Sequence, residues 1–175
     1  MSDPTRYAPR PAPYEAVGKR APLAPDRPGF LVDLRRCIGC HACSVACKTV
    51  HEVELGSFPL RVRWLPDPGG DTYSFVPVFS ESLCTDDAES LAVGMEPACA
   101  RACPTDALVF GDFAAAGSLL GLAELEPDIR RLAGPDANDL KQEVVYRALP
   151  EWIGAKLNQG AALDPKDEDP IYEQR

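Results

Sequence analysis

The sequence predicts an α+β fold with an extended arm at each end, and three observations support this prediction. Short apolar runs with strand periodicity occur through the first two thirds of the chain. Apolar residues recur at helical spacing after residue 113. Seven of the eighteen prolines fall in the first 28 residues. Proline lacks a backbone donor and fixes φ, so this stretch cannot form a regular helix or a central strand.

The strands are predicted from side-chain alternation and from turn residues. We expect five of them, at residues 30–34, 60–65, 73–79, 107–110 and 144–146. The turn sequence PGG at residues 68–70 separates the second strand from the third, so these two strands should form a hairpin.

The helices are predicted from spacing and stop signals. One short helix follows the first cysteines and ends at His51. Two more should cover residues 113–125 and 126–133, with Pro127 near the first turn of the latter and Gly134 as its stop. A last short helix is expected at residues 150–157.

Charge and composition exclude several classes of protein. The 175 residues carry a net charge of −9, which argues against a basic nucleic-acid footprint. No apolar run reaches the roughly eighteen residues of a membrane span, and no secretory signal is evident. A hydrophobic content of 45% and a charged content of 26% are ordinary for a globular protein.

Four closely spaced cysteines carry the first chemical signal: residues 37–47 (CIGCHACSVAC) have the spacing C-x2-C-x2-C-x3-C. Disulfides fit poorly, because such near neighbours form strained loops and seven cysteines are an odd count. Zinc sites usually use two well-separated pairs. The spacing is typical of a bacterial iron–sulfur motif, in which three thiolates bind one cluster and the fourth binds a second cluster.

A second cysteine group completes this pattern. Residues 99–104 (CARACP) have the closing C-x3-C-P of such a motif, and a further cysteine lies upstream. The two halves should exchange their last ligands. The predicted first site is Cys37, Cys40, Cys43 and Cys103, and the predicted second site is Cys47, Cys84, Cys99 and one further ligand.

The second site lacks one thiolate. Asp87 stands where C-x2-C would place the next cysteine after Cys84. Its carboxylate could bind the fourth iron, that iron could be absent, or solvent or a partner could supply the ligand. A carboxylate suits a soft site less well than a thiolate, so the fourth iron should be labile. The expected cofactors are one 4Fe–4S cluster and one cluster that is either 3Fe–4S or an Asp-ligated 4Fe–4S.

Two segments resemble a known family. They are residues 37–48 (CIGCHACSVACK) and 83–108 (LCTDDAESLAVGMEPACARACPTDAL). They are similar to the ferredoxin-like iron–sulfur (beta) subunits of molybdopterin or tungstopterin oxidoreductases, of the formate dehydrogenase and dimethyl-sulfoxide reductase type. Lys48 stands where the motif usually has proline. Most members carry four clusters, and the eight ligand positions here imply a shortened two-cluster form.

The resemblance implies a domain organisation. We expect a bacterial dicluster ferredoxin-like core at residues 29–112, with the hairpin inserted at about 59–80. An extended proline-rich arm precedes the core (1–28). A helical extension that packs on the core or on a partner follows it (113–158), and an acidic tail ends the chain (159–175).

The resemblance also implies a function. The chain would be a non-catalytic electron-transfer subunit that relays single electrons to or from a larger catalytic oxidoreductase subunit, with a further redox or membrane-anchor subunit as a possible partner. The alternatives are a diffusible dicluster ferredoxin and the electron-transfer subunit of a hydrogenase or carbon monoxide dehydrogenase. Assembly is expected in the cytoplasm, and the final location is either there or across the membrane, with a signal-bearing partner.

Overall fold

The computed structural model describes residues 22–79, 87–132 and 143–158. Most of the predicted arm (residues 1–21) and the whole acidic tail (residues 159–175) lie outside the described residues. In chain order the elements are β1 (Pro28–Asp33), α1 (Ala42–Val50), β2 (Leu60–Pro66), β3 (Tyr73–Phe79), α2 (Ala88–Ala92), α3 (Ala98–Arg101), β4 (Leu108–Asp112), α4 (Leu119–Ala123), β5 (Ile129–Arg130), β6 (Glu143–Arg147) and α5 (Glu151–Asn158).

The main sheet has four strands in the order β4-β1-β6-β5. β1 pairs antiparallel with β4 and parallel with β6, and β5 pairs antiparallel with β6. The run Phe30–Val32 in β1 is buried throughout, as expected for a central strand that is covered on both faces. This arrangement confirms the predicted α+β class and is compatible with a ferredoxin-like fold.

The two faces of the sheet bury different partners. Phe30, Val32 and Tyr146 point to one face, where they pack with the hairpin and with the cysteine-bearing helices. Leu31 and Val145 point to the other face, where they pack with α4. The division follows from the two-residue side-chain period of a strand. The sheet therefore supports the cysteines from one face.

The predicted hairpin is confirmed. β2 and β3 pair antiparallel, from Leu60 opposite Phe79 to Pro66 opposite Tyr73. The ring of Phe79 lies 4.9 Å from the ring of Phe30, measured between centroids. The hairpin is therefore a second, smaller sheet that packs on the main one through aromatic side chains.

The predicted helix over residues 113–125 is wrong for most of its length, because α4 covers Leu119–Ala123 alone. Gly117 has φ +76°, in the left-handed region, and this conformation interrupts any helix that starts earlier. The hydroxyl of Ser118 then caps α4 by accepting a hydrogen bond of 2.9 Å from the Gly121 N–H.

The predicted helix over residues 126–133 is also wrong across its described part, residues 126–132. β5 lies there instead and pairs with the end of β6. The guanidinium of Arg147 donates hydrogen bonds of 2.7 and 2.5 Å to Glu126 and so holds this segment against the strand. A free sheet edge offers backbone partners that outweigh the helix propensity of so short a segment.

The remaining element predictions are confirmed within a few residues. They are the strands β1, β4 and β6, the helix α1 that is followed by His51, and the helix α5. The segment after residue 112 thus contributes two strands to the main sheet, so it is less helical than predicted. The domain boundaries stay predictions. Within the described ranges, no helix has the length and apolar character needed to cross a membrane.

Candidate metal centres

The loop that precedes α1 turns sharply around its glycine. Gly39 and His41 both have left-handed backbone conformations, with φ of +69° and +60°. A Cβ atom on Gly39 would lie 2.6 Å from the ring of Phe75 in β3. Because glycine alone lacks that atom, it allows the loop to pack directly against the hairpin.

Four cysteines line one small cavity. Cys37, Cys40 and Cys43 come from the loop and the first turn of α1, and Cys103 comes from the distant segment that follows α3. The rest of the wall is mostly apolar and includes Ile38, Val62, Pro77, Ala107 and Leu108. The structure therefore brings together all four residues predicted for the first site.

Hydrogen-bond donors surround the sulfur of Cys103. The Ala107 N–H donates to Sγ at 3.2 Å, and the Thr105 hydroxyl oxygen lies 3.8 Å from it. Burial alone would raise the pKa of Cys103, but the N–H groups of Leu108, Thr105 and Ala107 and the Thr105 hydroxyl outweigh burial and lower this pKa. Donors placed in this way stabilise a thiolate, whether the thiolate is free or binds a metal.

At two of the other thiols, burial is the main influence on the pKa. It raises the pKa of Cys37, and it raises the pKa of Cys43 to about 11, with the neighbouring thiol of Cys103 acting in the same direction. Thiols of this kind remain protonated near neutral pH unless a cation replaces the proton. Their setting therefore suits metal ligands better than free thiolates.

The hydroxyl of Ser44 is a buried polar group at the same site. Ser44 is 1% exposed, and its Oγ has no hydrogen-bond partner among the described residues. The oxygen lies near the sulfur of Cys43 but lacks the geometry of a hydrogen bond. The Cys43 sulfur is the acceptor that lies beside this buried hydroxyl.

The residues predicted for the second site lie on neighbouring elements. Cys47 on α1 and Cys99 on α3 are each 6% exposed, and the two helices pack against each other. Asp87 precedes α2, and the N–H of Ala98 at the start of α3 donates a hydrogen bond to its carboxylate. Cys84, the remaining predicted ligand, lies outside the described residues.

Asp87 is a buried acid with a histidine beside it. Its side chain is 7% exposed, and the Nε2 atom of His51 lies 3.3 Å from Oδ1. This contact is close enough for an ion pair, but Oδ1 has no aligned hydrogen bond from any described residue. Burial raises the pKa of Asp87, although His51, the Ala98 N–H and Arg101 each oppose that rise.

Sequence reasoning missed His51 as a member of this group and assigned it only to the end of the helix. A signal was present, because His51 follows Cys47 by four residues, which is one helical turn. The His51 N–H bonds to the Cys47 carbonyl at 3.1 Å, so the turn is complete. Among the residues that the structure describes, no three His, Cys, Asp or Glu side chains are arranged to hold a single metal ion.

The fold and the thiol-lined cavity define an α+β protein that is compatible with a ferredoxin-like fold. No family model matches the chain. The chain is 42% identical, over 82 residues, to the thiosulfate reductase electron transfer subunit PhsB of Salmonella typhi. The match covers 46% of this chain and 32% of that relative, so the chain spans about a third of the relative's length.

Proposed function

We propose that this chain is the electron-transfer subunit of a larger oxidoreductase and that it carries two iron–sulfur clusters. The catalytic subunit of that complex would contain molybdopterin or tungstopterin, and this chain would perform no bond-making chemistry. The bound clusters would supply reversible one-electron chemistry. The residues of this chain would hold the clusters, limit their contact with water and set their potentials.

The proposed ligands follow the crossed pattern. Cys37, Cys40, Cys43 and Cys103 hold the first cluster. Cys47, Cys84 and Cys99 hold the second, with Asp87 at its fourth corner. α1 therefore contributes to both sites, because Cys43 and Cys47 stand one turn apart on it. A rigid helix shared in this way keeps two redox centres close enough for electrons to pass between them.

One observation carries the proposal: four thiols from two distant parts of the chain line a single cavity. The first three cysteines could come together through local chain geometry alone. Cys103 could not, because it reaches the cavity only after the chain has passed through the hairpin, α2 and α3. Such a contribution from the second half is what an exchanged fourth ligand requires.

The surroundings of the cavity fit an iron–sulfur cluster. Thiolates are the ligands that such clusters use, and N–H donors to sulfur are among the groups that set their potentials. Both are present at Cys103, where the Ala107 N–H donates to Sγ. The unpartnered Ser44 hydroxyl is a further donor, and the sulfur atoms of a cluster would be acceptors for it.

Exposure differs among the described cysteines. Cys40 is exposed, whereas Cys43, Cys47 and Cys99 are buried. A cluster held by Cys40 would lie near the surface, and electron transfer to a partner requires a close approach. We therefore propose that the first cluster exchanges electrons across the surface at Cys40.

The test is anaerobic purification followed by replacement of neighbouring ligands. The wild-type chain should contain about seven or eight iron atoms with matching acid-labile sulfide, as expected for two clusters. Cys43→Ala and Cys47→Ala are matched changes on one helix, and each should remove the signal of a different cluster. Cys103→Ala should remove the same EPR signal as Cys43→Ala. Loss of the Cys47-dependent signal in Cys103→Ala would contradict the crossed assignment.

The partner is tested separately. The chain, tagged at either end and expressed in its native host, should co-purify with a large chain that contains molybdenum or tungsten. Isolation as a stable free monomer that carries both clusters would instead support a diffusible ferredoxin.

A further inference from the structure

Ser44 follows Cys43 on α1, and Cys43 is one of the four cysteines that line the cavity of the first site. In a helix, a serine hydroxyl normally bonds to water or to the carbonyl one turn earlier. Ser44 is 1% exposed, so bulk water does not reach its hydroxyl, and its Oγ bonds to no carbonyl among the described residues. The helix thus keeps a buried donor that the backbone does not use.

Both polar groups of Ser44 act on the Cys43 sulfur. Burial raises the pKa of Cys43 to about 11, and the Ser44 N–H and the Ser44 hydroxyl oppose that rise. Groups that oppose it stabilise the thiolate over the thiol. A protonated thiol is a weak acceptor, whereas a thiolate ligand carries negative charge and accepts more strongly. The hydroxyl therefore has its best acceptor when Cys43 binds iron.

The position of Cys43 makes protein donors important to its sulfur. Cys43 is 7% exposed, whereas Cys40 of the same site is exposed and can accept hydrogen bonds from solvent. A hydrogen bond in a buried, low-dielectric setting is electrostatically stronger than one in water. A single hydroxyl at Cys43 should therefore have a measurable effect on the charge of a bound cluster.

We propose that the Ser44 hydroxyl donates a hydrogen bond to the Cys43 sulfur when the first cluster is bound, and that this bond raises the reduction potential of that cluster. This inference deepens the proposed function and rests on it. Ser44 is a positioning residue, because it acts through Cys43 and does not bind iron. Reduction adds one electron to the cluster, and the donor stabilises the added negative charge. The hydroxyl keeps its proton in both redox states.

The potential is measured by redox-poised EPR on the full-length chain, purified anaerobically with its clusters. Ser44→Ala removes the hydroxyl and keeps the backbone N–H. The equilibrium constant for reduction of the first cluster should fall about three- to tenfold, which lowers its potential by about 30–60 mV. Ser44→Cys keeps a weaker donor and should give a smaller decrease. Thr49→Val is the control, because it removes a hydroxyl that bonds to the Val45 carbonyl on the same helix, and it should keep the wild-type potential.

A second measurement separates a direct hydrogen bond from a change in packing. After exchange into D₂O, pulsed electron–nuclear double resonance on the reduced first cluster should detect a coupled deuteron in wild type. Ser44→Ala should lose that coupling, and Thr49→Val should keep it. An indirect effect on packing would change the potential without removing the coupled deuteron, so the same deuteron in both variants would overturn the proposal.

An unchanged or higher potential in Ser44→Ala would also overturn it. If the alanine variant does not assemble the first cluster, Ser44→Cys is measured in its place, and a wild-type potential there would count against the hydrogen bond. Failure of the proposed function has a different result, because a wild-type chain without iron and acid-labile sulfide would refute both claims. A chain with both clusters and no effect of Ser44 would refute this inference alone.

Discussion

The Tyr146 hydroxyl donates a hydrogen bond of 2.8 Å to the carbonyl oxygen of Pro77. Tyr146 lies in β6 and is fully buried, and burial raises its pKa. Pro77 lies in β3 and lines the cavity of the first site. This bond joins the main sheet to the hairpin that forms one wall of the cysteine cavity.

Tyr146→Phe should destabilise the chain while leaving the cysteines in place. The change removes the hydroxyl that donates to the buried Pro77 carbonyl, which costs about 1–3 kcal/mol. In a chain of this size, the temperature at which the visible absorption of the clusters is lost should fall by roughly 2–10 °C. Tyr73→Phe is the matched control, because Tyr73 lies on β3, the strand that contains Pro77, and its side chain is exposed. Equal shifts for the two variants would argue against this role of the hydrogen bond.

Gly39→Ala should impair the first cluster selectively. Alanine at φ +69° is strained, and its Cβ would also clash with the ring of Phe75. Gly56→Ala is the control for strain alone, because Gly56 has φ +88° and nothing within 4 Å of the new Cβ. We expect the EPR signal of the first cluster to fall in the former variant and to persist in the latter. Phe75→Leu should partly restore it, and failure of that rescue would locate the defect elsewhere.

Thr105→Val should lower the reduction potential of the first cluster. The Thr105 hydroxyl lies 3.8 Å from Cys103 Sγ, and a donor to sulfur favours the more negative, reduced state. Loss of one such donor should shift a one-electron potential downward by about 20–60 mV. Thr49→Val makes the same change on α1, where the hydroxyl bonds to the Val45 carbonyl. Thr49→Val is therefore the control and should keep the wild-type potential. A wild-type potential for Thr105→Val in redox-poised EPR would contradict the expectation.

Arg147→Met should weaken the junction of β5 and β6. Arg147 donates to Glu126 and to the buried carboxylate of Asp33, so its loss removes a partner of Glu126 and one of the two arginine partners of Asp33, which keeps Arg35. The temperature of cluster loss should fall by about 3–10 °C. Arg147→Lys keeps the charge but cannot reach both acids with one planar group, so it should give an intermediate shift. Wild-type behaviour of the methionine variant would show that the pairing contributes nothing.

Several parts of the fold could be predicted from sequence because their signals are local. Alternation at residues 60–65 and 73–79, with a glycine turn between them, predicts the hairpin without knowledge of any other segment. The helix errors have the opposite origin. Residues 126–132 have a helical pattern but lie at a free sheet edge, and a pattern within one segment carries no information about that edge.

Cysteine spacing by itself determined which residues to group at the first site, because ligand chemistry restricts the arrangement of closely spaced thiols before any fold is known. The tertiary structure decided what surrounds them. The contact of His51 with Asp87 and the approach of Phe75 to Gly39 join parts of the chain whose separation leaves no periodic trace in the sequence. Such contacts form only when packing of the main sheet, the hairpin and the helices brings these segments together, and packing depends on the whole chain.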